Sequence, residues 1–380
     1  MDYTFTETET AFRAEVRAWL TANVPKEPLA SGDTKEGFSQ HLAWERRLFD
    51  ARFAVVSWPK AYGGREASLI EWLIFEEEYY RAGAPNRVTQ NGIFLLAPTL
   101  FEFGTEAQKA RILPKMASAE QLWAQGWSEP GAGSDLAAIK STAVKTDGGW
   151  RLSGQKTWCT RASFCDAMFG LFRSDPDADR HRGLSYFMVD LRAEGVTVRG
   201  FDRLDGDEGF AEVFLDDVFV SDDDVIGAVN NGWKVAMATA SSERGLTLRS
   251  PGRFLASVDR LLALYKGASQ VEPGVRDQVV QAYIQAQAYG TYTYTMAQRI
   301  ADEDNIGAES SLMKLFWSEM DVHIHETALS IIGAESELTS GEFAAWMKGY
   351  QFALAGPIYA GTNEVQRNVV ARRVLGLPRG

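Results

Sequence analysis

Four short stretches concentrate the residue types that could do chemistry. They are Trp127 through Asp135 (Trp127, Ser128, Glu129, Pro130, Gly131, Ala132, Gly133, Ser134, Asp135), Gly154 through Thr160 (Gly154, Gln155, Lys156, Thr157, Trp158, Cys159, Thr160), Ser241 to Arg244 (Ser241, Ser242, Glu243, Arg244), and Tyr359 to Glu364 (Tyr359, Ala360, Gly361, Thr362, Asn363, Glu364). Between them they offer indole surface, neutral hydroxyls and carboxylates. Gly131, Ala132, Gly133 and Ser134 imitate a phosphate loop, but the run opens no long apolar helix and lacks the third glycine of GxGxxG, so it reads as a tight loop. Taken alone, Trp158 reads as a sheet-core aromatic and Ser128 as a turn hydroxyl. His323 and His325 stand at i and i+2, roughly 200° apart around a helix, and cannot grip one ion together; with His41 and His181 they form no cluster, and no metal is expected. Cys159 and Cys165 make neither a CxxC pair nor half of a zinc set, and read as structural thiols of a reducing compartment. No spacing supports a Ser, His, Asp triad.

The elements that must hold these stretches fall into three blocks, giving an α+β chain. Phe12, Val16, Trp19 and Leu20 mark one helical face, with Thr6 and Glu9 as a capping box and Pro25 as the stop. Further helices are expected over 35–54, 68–81 and 93–103, and from the Thr105 cap to 116. From 121 the period changes to 2: a hairpin joins 142–145 to 150–153 through Asp147, Gly148 and Gly149, and strands are expected at 167–172, 184–190, 196–201 and 211–219. Helices return over 233–267, 273–302, 309–332, 340–352 and 362–374. The expected domains are helical (1–120), a β-barrel-like or sandwich domain (121–228) and a four-helix bundle (229–380). The absence of strand and helix alternation argues against a Rossmann sheet.

With 380 residues, 45% of them hydrophobic, the chain is long enough for two or three domains with real cores. Its net charge, 39 − 51 = −12, repels nucleic-acid phosphates and anionic membranes, and neither is expected as a partner. The most apolar stretch, 93–101, falls short of the roughly 20 residues a membrane span needs. The N-terminus runs straight into an amphipathic helix with no leader pattern, so a cytoplasmic location is expected.

In this order and spacing, the first, second and fourth stretches and the helix, sheet, helix plan resemble the acyl-CoA dehydrogenase family over nearly the whole chain. The resemblance implies an FAD enzyme that takes a proton from the α-carbon of an acyl-CoA thioester and a hydride from its β-carbon, leaving a trans-2-enoyl-CoA. Residue by residue, it implies that Gln125, Trp127 and Ser128 lie along the polar edge of the flavin, that Trp158 covers the ring, and that the Thr160 hydroxyl bonds near the hydride-accepting nitrogen. A flat ring needs stacking surface and a few directed donors rather than a charge, which suits these side chains. By the same resemblance Ser134 contacts the CoA portion, Thr362 and Glu364 the cofactor, and Tyr359, Ala360, Gly361 and Arg244 the substrate.

Taking a weakly acidic α-proton requires a carboxylate whose pKa is raised by dry surroundings. Many family members carry a Glu directly after the Tyr of the final loop, where this chain has Ala360. Members similar to the isovaleryl-CoA and long-chain enzymes carry the base on the first long helix of the last domain, and there Glu243 matches. The Arg, two residues and Phe-Gly motif that binds the FAD pyrophosphate of a neighbouring subunit is missing: the chain reads Leu264, Tyr265, Lys266, Gly267, with Lys266 or Arg276 left to supply the charge. That departure resembles a branch acting on steroid side chains and other bulky acyl-CoAs, whose members often form heterotetramers. The implied partners are an acyl-CoA, electron-transferring flavoprotein as acceptor, and either copies of the same chain or a second dehydrogenase-like chain. The competing readings are a non-catalytic subunit of such a complex and a flavin oxidase of the same fold.

Overall fold

The structure, a computed structural model, describes residues 4–244, 250–302 and 307–378, with the side chains of 241–244 outside that set. The opening helices are α1 (Glu7–Asn23), α2 (Lys35–Asp50), α3 (Leu69–Arg81), α4 (Ala97–Phe103) and α5 (Glu106–Ala117). Reciprocal capping boxes start three of them, Thr6 with Glu9, Ser68 with Glu71 and Thr105 with Gln108, satisfying backbone N–H groups that a helix leaves orphaned. Helix α2 stops at Asp50 rather than 54, because Arg52 turns left-handed at φ 61° and the chain folds inward through Phe53, Ala54 and Val55. The expected helix at 93–103 is a π-helical turn (Asn91–Leu96) followed by α4; Pro98 has no N–H to give Phe94, and Ala97 bonds back to Gly92 instead.

The middle of the chain forms β1 (Trp123–Gly126), β2 (Thr142–Thr146), β3 (Gly149–Thr160), β4 (Ala167–Arg173), β5 (Leu184–Asp190), β6 (Val196–Phe201), β7 (Phe210–Ser221) and β8 (Val225–Ile226). Among the described residues these make one eight-stranded sheet in the order β6-β7-β3-β2-β4-β5-β8, with β1 lying parallel to β4. Strands β1 and β8 escape a periodicity reading because four and two residues are too few to alternate visibly. Trp150, Leu152, Met168, Phe172, Phe187 and Val213 share one apolar core drawn from both halves of the strand path, so the sheet curls around it.

The closing helices are α6 (Gly232–Arg244), α7 (Pro251–Gly267), α8 (Val275–Ala301), α9 (Glu309–Ile332), α10 (Ala344–Ala353) and α11 (Asn363–Val369). The single helix expected over 233–267 is α6 and α7: Ser250 caps a new helix with Pro251 at its first turn, and 245–249 lie outside the described residues. The helix expected from 340 begins at Ala344, and that expected over 362–374 is α11 followed by a π-helical turn at Val370–Val374.

Contacts divide the chain into two compact units. One comprises Met1–Lys26, Ala67–Ala84 and Arg244–Gly380, the other Glu27–Glu66 and Pro85–Glu243. The first is helical, with α3 packed on α1 and α7, and α8 on α7 and α9. Gly252 permits the α3–α7 crossing, since a Cβ there would come within 2.7 Å of the Glu77 Cα. The second unit holds the sheet with α2, α4, α5 and α6.

Candidate active site

Two of the four chemistry-bearing stretches meet in the sheet unit. The Thr157 N–H donates to the Ser128 carbonyl at 2.9 Å, which sets the segment leaving β1 against the end of β3. Beneath this contact the fully buried Lys156 ammonium donates to Glu129 at 2.8 Å and to the Leu171 carbonyl at 2.7 Å. Glu129 also accepts from the backbone of Lys140 at 2.6 Å and Ser141 at 3.0 Å, so one carboxylate staples both ends of the 129–141 loop to β3. Burial alone would raise its pKa, but Lys156 and these N–H donors hold the carboxyl below its usual range. A cavity of about 340 Å³ opens between the two stretches, edged by Glu129, Gly131, Lys140, Ser141, Gly154 and Gln155.

Trp158 is not a sheet-core aromatic. It is 60% exposed although Thr157 and Cys159 on either side are buried. The pairing of β3 with β7 slips between Lys156 and Cys159, and Trp158 takes φ 58° at that bulge, which re-aims its side chain away from the core. A bulky residue in left-handed backbone is strained and persists only where its surroundings insist on it. The rings of Phe201 and Phe210 brace the indole edge-on at 5.2 and 5.6 Å. Two residues on, Thr160 is half-buried, its carbonyl accepting from Asn91, and Arg161 is again left-handed at φ 55° while gripping Asp33 at 2.5 Å. Asp33 also binds Arg203 at 2.5 Å; burial opposes its charge, but the two guanidinium groups hold its carboxyl below the usual range.

Gln125 lies on β1 opposite Phe169, and its Nε2 is buried without a hydrogen-bond partner among the described residues. Trp127 follows directly, donating its indole N–H to the Tyr186 hydroxyl at 3.1 Å. Ser134 and its neighbour Asp135 are exposed. Helix α6 buries Val235, Ala236, Thr239 and Ala240. The side chains of Glu243 and Arg244 themselves lie outside the described residues.

The final loop and Arg276 belong to the helical unit. Ala360 and Gly361 are both left-handed, at φ 55° and 82°, and Gln366 donates to their carbonyls at 3.2 and 3.3 Å. Thr362 caps α11 through its hydroxyl, and Asn363 anchors the helix start by accepting from buried Lys314 at 2.7 Å. Tyr359 is half-buried near Trp317. Glu364 and Arg276 are exposed. The Glu364 carboxyl sits below its usual range because its own backbone N–H and Thr362 bond to it.

Residues 6–120, 124–218 and 230–375 match the N-terminal, middle and C-terminal domains of acyl-CoA dehydrogenase. Acyl-CoA dehydrogenase IpdE1 of Mycobacterium tuberculosis is 38% identical over 377 residues, covering 97% of each chain. The chain belongs to the acyl-CoA dehydrogenase family. Among solved structures of the family, the Tcur3481-Tcur3483 steroid ACAD matches at TM-score 0.89 with 26% identity over 100% of both chains. The ChsE4-ChsE5 complex from Mycobacterium tuberculosis matches at TM-score 0.84 with 25% identity, again over 100% of both.

For an acyl-CoA dehydrogenase the fit to a flavin can be tested on the sheet unit alone. A buried amide N–H₂ at Gln125 with no partner among the described residues and a strained, exposed indole at Trp158 are both costly in isolation and both suit a flat, polar-edged ring. The residues present fit the group. Sequence reasoning missed Lys156, Tyr186, Thr239 and Gln366. Lys156 carried one readable signal, a lysine inside a strand, while Tyr186 and Thr239 show their role only through partners distant in sequence and Gln366 through carbonyls five and six residues back.

Proposed function

We propose that this chain dehydrogenates a bulky acyl-CoA thioester across its α and β carbons, with Glu243 as the base. As a member of its family the chain is an oxidoreductase, and its cofactor is FAD. When bound, FAD accepts the β-hydride. The chain's own part is to hold and to deprotonate. Gln125, Trp127 and Ser128 present donors along the flavin edge, Trp158 supplies stacking surface, and Thr160 offers its hydroxyl near the hydride-accepting nitrogen, with Thr362, Glu364 and Arg276 as further cofactor contacts. Ser134, Arg244, Tyr359, Ala360 and Gly361 hold the thioester while a Glu243 carboxylate oxygen receives the α-proton.

The observation that carries this reading is that Glu243 lies within α6, the first helix of the closing block, in a chain where the other family base position is Ala360. The similarity to proteins named as steroid ACADs and as a two-chain complex supports a bulky substrate and a second dehydrogenase-like chain in the assembly. Electron-transferring flavoprotein is the acceptor in this reading. The test is anaerobic bleaching of the flavin by butanoyl-, octanoyl- and cholanoyl-CoA. Glu243→Gln should slow the chemical step by about 100- to 10,000-fold with FAD retained, because Gln keeps the volume but cannot take a proton. Bleaching at the wild-type rate would move the base elsewhere.

A further inference from the structure

A line of buried hydroxyls ties α6 to the flavin-facing end of β1. The indole N–H of Trp127 donates to the Tyr186 hydroxyl at 3.1 Å, that hydroxyl meets the Thr239 hydroxyl at 3.4 Å, and Thr239 meets Thr99 at 2.7 Å. Thr99 ends the line by donating to the Leu95 carbonyl at 2.8 Å. The Thr239 hydroxyl also reaches the Val235 carbonyl of its own helix at 3.1 Å, so its one proton goes either there or onward to Thr99. Tyr186 and Thr239 are fully buried and Thr99 is 2% exposed, so no water is on hand to replace a lost partner. The line is reinforced where Tyr186 packs edge-to-face on Trp127 at 6.3 Å and stacks on Phe169.

The four side chains come from four places in the fold: the exit of β1, strand β5, helix α6 and helix α4. Apolar contacts at Val235, Ala236 and Ala240 hold α6 down without fixing how far it slides or rotates, since the hydrophobic effect is non-directional. Hydrogen bonds are directional, and Thr239 places them on α6. Position 243 is one helical turn beyond it. We infer that Thr239, with Tyr186 and Thr99 behind it, is a positioning residue that sets the register of α6 against the segment carrying Trp127, and so the placement of the base relative to the flavin. This rests on the reading of Glu243 as the base. The long 3.4 Å step makes Thr99 the firmer anchor, so Thr239→Val is expected to outweigh Tyr186→Phe.

The experiment compares holoenzymes of wild type, Thr239→Val, Thr239→Ser, Tyr186→Phe and Glu243→Gln. Hydrogen exchange is read on peptides from α6 and from β4–β5, alongside anaerobic flavin bleaching by whichever of the three acyl-CoAs above the wild type oxidises fastest. Losing a buried hydrogen bond is expected to speed α6 exchange about tenfold in Thr239→Val while β4–β5 stays as in wild type, with Thr239→Ser restoring protection. A displaced base is expected to lower kcat about 10- to 100-fold with KM within about twofold. Wild-type α6 exchange in Thr239→Val, or wild-type kcat, overturns the inference, as does a Thr239→Ser variant as impaired as Thr239→Val. Should Thr239→Val not fold, Tyr186→Phe and Thr239→Ser carry the same comparison. If Glu243→Gln keeps its kcat, the base reading fails while the exchange data still judge whether Thr239 holds α6; if it loses kcat and Thr239→Val behaves as wild type, this inference fails alone.

Discussion

In the sheet unit the central charge pair is dry: Lys156 has no exposed side-chain surface, and Glu129, at 2.8 Å, has 8%. In the helical unit Glu78 is just as buried, at 2%, but Arg17 and Arg81, two of the three arginines that meet it, are more than half exposed. Both arrangements neutralise a buried carboxylate, yet they do different work. The arginines reach Glu78 across helix surfaces and can be lost one at a time. Lys156 also bonds to Leu171, and its partner staples the 129–141 loop, so the pair dictates where the residues proposed to face the flavin sit. A dry pair fixes geometry at the cost of fragility, and a wet one gives redundancy.

The largest effect should come from the dry pair. Lys156→Met strands the Glu129 carboxylate and is expected to cost about 3–5 kcal/mol, read as a lowered urea midpoint, with Lys156→Met/Glu129→Gln recovering part of the loss. Next is Glu78→Gln, which leaves several guanidinium groups without a full charge partner and should cost about 1–3 kcal/mol. Lowering pH does the same without mutation. Burial opposes the charge of Glu78, but Arg17, Arg13 and Arg81 hold its carboxyl below the usual value of 4.5, and Glu129 and Asp33 are depressed as well. A depressed carboxyl contributes stability that is fully present above its unfolded pKa and lost as pH falls through the folded one. The midpoint should therefore hold from neutral pH down to about 5 and then fall as acid is added. A flat profile down to pH 3 would show that neither kind of pair matters.

Trp158→Ala sharpens the comparison from the side of function. The indole is exposed and strained, so its loss should leave the midpoint within about 0.5 kcal/mol. FAD, measured by titration of the apoprotein, should bind about two- to tenfold more weakly, the worth of one aromatic contact. Arg17→Ala is expected to have the smallest effect, about 0–1 kcal/mol and fading with added salt, because its guanidinium is 56% exposed and Arg13 and Arg81 remain. If it cost as much as Lys156→Met, the distinction between dry and wet pairs would collapse.

The capped helices α1, α3 and α5 and the β2–β3 hairpin were legible because their signals are local. A Thr or Ser with a Glu or Gln three residues on, or a glycine at the turn, acts within one turn of chain, and Gly148 does adopt φ 70° there. Helix α9 matches its expected bounds too, although only its C-terminal end carries such a signal, Gly333. The family and the order of helical, sheet and helical blocks were also present in the sequence, since motif order and hydrophobic period survive without coordinates.

What needed the tertiary structure was everything that depends on partners far apart in the chain. Whether Trp158 faces the core or the open side turns on a one-residue slip between β3 and β7, and a slip reverses the side-chain direction that alternation predicts. That β1 lies beside β4, that Glu129 finds Lys156, and that Thr239 meets both Tyr186 and Thr99 are pairings over gaps of 27 to 140 residues. Composition and spacing constrain such pairings weakly, because a buried polar group needs only some partner, and which one it finds is fixed when the packed elements close around it.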